Sequence, residues 1–263
     1  MKKLLHALVL TSLVAAPALA MAAEKPVSPH SLSANVGMTS NYVFRGISQT
    51  GGDPAVQGGL DYTHSSGFYL GTWGSNVGWI EDYQRYGSGN VEIDVYGGFR
   101  GGIGETGLTY DLGAIQYIYP GKKYNNIRLT TAVDADTTEI YAGLSWKWFT
   151  AKYSYYVSDE VFGFANADAS SYFDISASVP IGETGLTAGA HWGTFDFKNN
   201  AAQDYEDWKI SLAYDMGKLS AVTSGVTVGV MYTDTNAGRA VWTDDNNEFL
   251  GDSTTTVWIS KAF

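Results

Sequence analysis

Thr138-Glu139-Ile140-Tyr141-Ala142-Gly143-Leu144-Ser145-Trp146-Lys147-Trp148 is the stretch that decides the fold. Along an extended strand, successive side chains point to opposite faces. Thr138, Ile140, Ala142, Leu144, Trp146 and Trp148 therefore share one face, and Glu139, Tyr141, Gly143, Ser145 and Lys147 share the other. One face is apolar and the other polar. Carried around a closed antiparallel sheet, the pattern describes a barrel with a greasy outside in lipid and a wet lumen.

The pattern recurs along the chain. Twelve candidate strands cover 32–44, 55–64, 68–77, 90–101, 107–119, 138–148, 151–158, 171–180, 185–197, 206–216, 226–233 and 254–263. In the first, Leu32, Ala34, Val36, Met38, Tyr42 and Phe44 are in phase. The third has mixed phase and no face assignment. In the fifth, Leu108, Tyr110, Leu112 and Ala114 share one phase, then Ile115, Tyr117 and Tyr119 take the other. A bulge near Ala114 or aromatic side chains filling the lumen would each explain the switch. Connections after even strands are short, as at Phe149-Thr150, with that after the tenth, 217–225, somewhat longer, and those after odd strands are longer and more polar, as at 45–54 and 234–253. This is the asymmetry of bacterial outer-membrane barrels, with short periplasmic turns and long outer loops. An even strand count then puts both ends of the barrel in the periplasm.

Residues 1–20 read as an export signal: Lys2 and Lys3 precede an apolar run, and Ala18-Leu19-Ala20 fits a cleavage site, with a cut as late as Ala23 also compatible. Residues 21–263 then form one barrel domain. Loss of Lys2 and Lys3 takes the formal charge from −11 to −13. Such a chain is a poor partner for nucleic acid, whose phosphates need a basic face. An acidic surface suits divalent cations bridging to lipopolysaccharide. With no cysteine, disulfides, thiolate metal sites and cysteine nucleophiles are excluded.

Ile-Gly-Glu-Thr-Gly-Leu-Thr occurs at 103–109 and again at 181–187. Glycines flanking a polar pair permit the positive φ of tight hairpins. No lysine and no helical segment follow, so the repeat reads as a turn and not as a phosphate cradle. Two aromatic girdles are predicted: Tyr42, Phe44, Trp192, Trp208 and Tyr232 toward the long loops, and Phe99, Trp146, Trp148, Tyr214 and Phe263 toward the short turns. Val257, Ile259 and Phe263 alternate to a final aromatic, like the segment recognised by barrel assembly machinery, although Lys261 departs from it.

Chemistry for catalysis is sparse. His30 precedes the first strand and His64 lies beside Ser65 and Ser66 in a turn. His191 faces inward and could pair with a serine of a neighbouring strand. Asp134 and Asp136, and Asp244, Asp245, Glu248 and Asp252, are loop acids without EF-hand spacing. No catalytic residue, metal site or cofactor is assigned. The inward phase holds the candidate pore lining: Asp61, Glu92, Asp94, Glu139 and Asp174, with Arg100, Lys147, Lys152 and Lys209, and Arg45 at the outer end of strand one. Asp111 and Asp215 share that phase. Opposed charges can set the selectivity of a pore or pair and plug it.

Ser40-Asn41-Tyr42-Val43-Phe44-Arg45-Gly46-Ile47-Ser48-Gln49-Thr50 resembles the N-terminal signature of the TorF-type porin family. Residues 91–98 and 117–121 are similar to further family segments. The resemblance implies a Gram-negative outer-membrane barrel with a channel role and no known substrate. The expected function is passive diffusion of small hydrophilic solutes or ions. A closed structural or surface-interaction barrel is the alternative, and a lipid-modifying enzyme is a third. Oligomeric state is not read from the sequence.

Overall fold

The computed structural model describes residues 28–123 and 133–263. The export segment, 1–20 or up to 23, lies outside them, as does part of the third long loop. Fourteen strands follow in order: β1 (His30–Thr39), β2 (Val43–Phe44), β3 (Ile47–Ser48), β4 (Ala55–His64), β5 (Phe68–Asn76), β6 (Val91–Gly102), β7 (Leu108–Ile118), β8 (Thr137–Trp146), β9 (Phe149–Tyr156), β10 (Ser171–Pro180), β11 (Leu186–Asp196), β12 (Tyr205–Asp215), β13 (Val226–Thr235) and β14 (Thr254–Ala262). Twelve of them, β1 and β4 to β14, close an antiparallel barrel in sequence order, with β1 joined to β14. β2 and β3 form a separate two-stranded hairpin. Closure leaves no unpaired sheet edge, which a strand bundle in hydrocarbon requires.

Outward positions carry Leu60, Leu112, Ile140, Leu144, Ile175 and Ile210, all exposed. So continuous an apolar exterior belongs against lipid. Trp192, Trp208 and Tyr232 lie outward at the loop end, and Phe99, Trp146, Trp148 and Phe263 at the turn end. Inside, large side chains lie over glycines of neighbouring strands. Tyr96 covers Gly71 and Tyr172 covers Gly193, and in both places an added Cβ would overlap the ring.

The two heptapeptides fold alike. In each, the first Ile amide donates to the Leu carbonyl, and the Thr hydroxyl donates to the Ile carbonyl at 2.6 Å and accepts from the Leu amide at 3.1 Å. Gly104, Gly107, Gly182 and Gly185 all have positive φ. The motif is a hairpin turn.

Several strand expectations need correction. The first strand stops at Thr39 and not at Phe44. Tyr42 and Phe44 leave the girdle: Tyr42 is buried and Phe44 packs on the interior core. The sixth strand ends at Trp146, so the turn is Lys147-Trp148 and Phe149 opens β9. The fifth has no bulge. β7 pairs with β6 and with β8 residue for residue, and Ile115, Tyr117 and Tyr119 fill the lumen. The third strand resolves, with Tyr69, Gly71, Trp73 and Ser75 inward and Phe68, Leu70 and Thr72 outward.

Leu112 sits mid-strand on the lipid face. Leu112→Arg should cost about 2–4 kcal/mol of unfolding free energy in phospholipid vesicles, the cost of a midplane charge. Leu112→Met should stay within about 1.5 kcal/mol. Urea titration followed by tryptophan fluorescence measures both.

Candidate functional site

The barrel interior divides in two along its axis. Toward the short turns, inward side chains such as Asn35, Asp61, Arg100, Lys152, Lys209 and Thr227 are half-buried around an open vestibule. Toward the long loops, the interior is a packed aromatic core containing Phe44, Trp79, Phe162, Phe195, Phe197 and Trp242. Its rings stack or meet edge to face at centroid separations such as 3.9 Å for Phe195–Phe197 and 5.8 Å for Phe44–Phe162. A small apolar cavity of about 30 Å³ remains among them.

The centre of this core is the β2–β3 hairpin. It leaves β1 and crosses the lumen. Its two-residue turn, Arg45-Gly46, has φ of 46° and 79°, as a tight primed turn requires. Gly46 is needed for space as well, because an added Cβ would sit 2.5 Å from both Asp207 of β12 and Thr235 of β13. Gln49 follows the hairpin, and its carbonyl accepts from the amides of Gly78 and Trp79, anchoring the helical turn Trp79–Asp82.

Arg45 therefore lies at the tip of a plug and not at the outer end of a wall strand. It is buried and donates to Glu139 Oε2 at 2.8 Å, to Ser154 and to the Tyr156 hydroxyl. Its guanidinium lies 4.2 Å from the Tyr172 ring centroid and 4.9 Å from that of Phe44, so cation–π attraction adds to the ion pair. Glu139 is fully buried and also faces Lys152 Nζ at 3.4 Å. Lys152 in turn lies 4.1 Å from the Tyr141 ring.

The other predicted residues fall into groups. Glu92 accepts from Tyr42 Oη at 2.7 Å and Tyr119 Oη at 2.8 Å. Asp94, two residues on, is buried, and its Oδ1 has no hydrogen-bond partner. Asp61 accepts from Tyr96 at 2.6 Å. Asp111 accepts from Tyr69, whose ring carries the Arg100 guanidinium at 4.3 Å. Asp174 Oδ1 lies 3.8 Å from His191 Nδ1, and Lys209 stands opposite His191 in register. Lys147 is the exception: it occupies an exposed turn with φ of 55° and folds over Trp146, away from the lumen.

His191 stands opposite Ser176 in register but hydrogen-bonds no serine among the described residues. Its Nε2 lies 3.1 Å from Asp207 and 2.9 Å from the Tyr172 hydroxyl, which donates to Asp207 at 2.7 Å. His64 bonds Ser66 within its own turn. Among the described residues no group of three His, Asp or Glu side chains is arranged to hold a metal. The loop acids instead shape loops. Asp244 accepts the amides of Asn246 and Glu248, and Asp245 pairs with Arg85 at 2.7 Å. Near this cluster burial raises the Asp82 carboxyl, aided by Asp244, and burial pushes Tyr83 up to about 12.

A model of a family described as bacterial proteins of unknown function, Gcw_chp, matches residues 23–263. The chain belongs to this family. No functionally curated protein matches the sequence. Among solved structures, this Gcw_chp chain is similar to the KdgM porin at 8% identity and a TM-score of 0.51, covering 88% of this chain and 98% of that one. The KdgM porin in complex with disordered oligogalacturonate gives 8% and 0.52 over the same shares. The NanC porin gives 13% and 0.51, over 89% and 99%. At these identities the likeness establishes a shared fold.

Removing one member of a buried ion pair leaves the other uncompensated, at about 3–5 kcal/mol. Arg45→Met and Glu139→Gln should each lower the unfolding free energy by about that much. The double variant should lose less than their sum, and a double-mutant cycle from urea titrations measures the coupling.

Proposed function

We propose that the chain is an outer-membrane, porin-like channel that passes small hydrophilic solutes or ions by diffusion, with the β2–β3 hairpin restricting its outer end. The observation that carries this reading is a charged, half-buried vestibule inside an apolar-faced closed barrel, ended by a hairpin anchored at Arg45. The likeness to the KdgM and NanC porins in fold and the TorF-type signature at 40–50 support it. Half-buried Asp61, Arg100, Lys152 and Lys209 line the route, Asp111 and Asp174 are buried in its wall, and Glu92, Asp94 and Glu139 stand at its narrow end. Lys147 has no part in it.

The charge distribution favours cations. Asp61, Glu92, Asp94, Asp111 and Glu139 all lie on β4 to β8, where Arg100 is the inward base. On β9 to β12, Lys152 and Lys209 balance Asp174 and Asp207. One KdgM structure holds oligogalacturonate, a polyanion; a wall of five carboxylates suits the opposite charge. The reading is non-enzymatic, because the His191 ring is hydrogen-bonded by a carboxylate and a phenol and not by its register partner Ser176. Lipid, lipopolysaccharide and the barrel assembly machinery are the partners this location entails.

The aromatic core favours a second reading, a permanently closed barrel whose loops are its working surface. Planar-bilayer recording separates the two. The wild type should show small, cation-selective conductance. Replacing residues 43–48 by a Gly/Ser linker should raise it several-fold, and Asp61→Asn with Asp111→Asn should move the reversal potential toward anions. Absence of conductance in both the wild type and the linker variant would reject the channel. Membrane fractionation with a heat-dependent gel shift tests the location.

A further inference from the structure

Asp94 is a predicted lining carboxylate to which the described structure gives neither a hydrogen-bond donor nor a counter-charge. It is 6% exposed, and Oδ1 is enclosed with no hydrogen-bond donor. The charged groups facing it are Glu92 and Glu139, both acidic. The nearby bases are committed elsewhere: Arg45 to Glu139, Ser154 and Tyr156, and Lys152 to Glu139 and the Tyr141 ring. Glu92 is satisfied by two phenols. A buried carboxylate without donor or counter-charge is costly and is otherwise relieved by taking up a proton; a cation from outside the chain would stabilise its charged form instead.

The surroundings say which kind. Register places Trp73 of β5 and Tyr117 of β7 directly opposite Asp94, both inward, on either side of it. Tyr42 packs edge-on against Trp73 at 5.5 Å, and Tyr96 follows Asp94 on the same inward face. A carboxylate among aromatic rings is the chemistry that binds an ammonium group: the carboxylate supplies the charge and the rings supply cation–π attraction. A divalent ion would need several oxygen ligands at short range, and no such group is present among the described residues.

We propose that Asp94, with the rings of Trp73 and Tyr117, forms a lumenal binding site for ammonium-bearing organic cations. The proposal builds on the channel reading by naming a solute class, but binding to detergent-solubilised protein does not depend on conduction.

Isothermal titration calorimetry of the purified full chain with tetramethylammonium chloride should give saturable, millimolar binding, followed in parallel by Trp73-dependent fluorescence. Sodium acetate should give none. Asp94→Asn should weaken binding at least tenfold, and Asp94→Glu should retain most of it. Trp73→Leu should weaken it several-fold, whereas Trp73→Phe, which keeps a ring, should stay near the wild type. The heat-dependent gel shift certifies the fold of each variant; if Asp94→Asn does not fold, the Trp73 pair decides. No saturable binding by the wild type, equal affinity in Asp94→Asn, or equal loss in both Trp73 variants would overturn the proposal. Conductance without ammonium binding would reject this site and keep the channel; binding without conductance would do the reverse.

Discussion

Ring closure of twelve strands is the constraint from which the rest follows. In hydrocarbon every backbone N–H and C=O of the wall must find its partner within the wall, and the closed order from β1 round to β14 provides this. Closure at that strand number also fixes an interior near the size where wall side chains alone decide little about whether a path stays open. The chain fills part of this space from the wall, with tyrosines laid over glycines. It fills the rest from the first long loop, whose hairpin enters the lumen and is covered by aromatic rings from later loops.

Charge placement follows from that partial filling. In the packed outer half, most buried charges have partners from the chain: Arg45 has Glu139, Glu92 has two phenols, and His191 has Asp207 and Tyr172. In the open half, charges are half-buried and water can answer them. Asp94 stands at the boundary, its Oδ1 without a hydrogen-bond partner from the chain. The interior is thus graded along the axis from fixed pairing to free charge.

Much of this was legible in the sequence because period-two alternation is a direct image of inside and outside. Strand existence, even count, orientation and the inward side of Asp61, Glu92, Asp94, Arg100, Glu139, Lys152, Asp174 and Lys209 all follow from parity and connection length. Parity says nothing about where a strand leaves the wall. Tyr42 and Phe44 continue the phase of Met38, yet they belong to the plug, and the break at Ser40-Asn41 has no hydrophobic signature. Lys147 has the right parity but sits in a two-residue turn that any short connection could have hidden. Strand three was unreadable because its lumenal residues, Tyr69 and Trp73, are as large as its lipid-facing ones. The tyrosine–carboxylate pairs and the Tyr172–His191–Asp207 group depend on stagger between strands, which alternation does not encode. Arg45-Gly46 did carry a local cue, a glycine beside a strand-like pair, but arginine is not a usual left-handed turn residue.

β1 has a second role that its short pairing brings out. It matches β4 over ten residue pairs from His30 to Thr39 but meets β14 over five, from Asn35 to Thr39. The shortest ladder of the cylinder is therefore the seam where first and last strands meet. Immediately beyond that seam, Ser40 exchanges bonds with Val257, and the chain runs into the hairpin that grips β8, β9 and the wall at Asp207 and Thr235. The same segment that narrows the bore is thus a strut across it, tying the seam to the opposite wall. Mechanical integrity of the cylinder and occlusion of its outer end are coupled through one short piece of chain, so a mobile plug would also loosen the joint on which the cylinder closes.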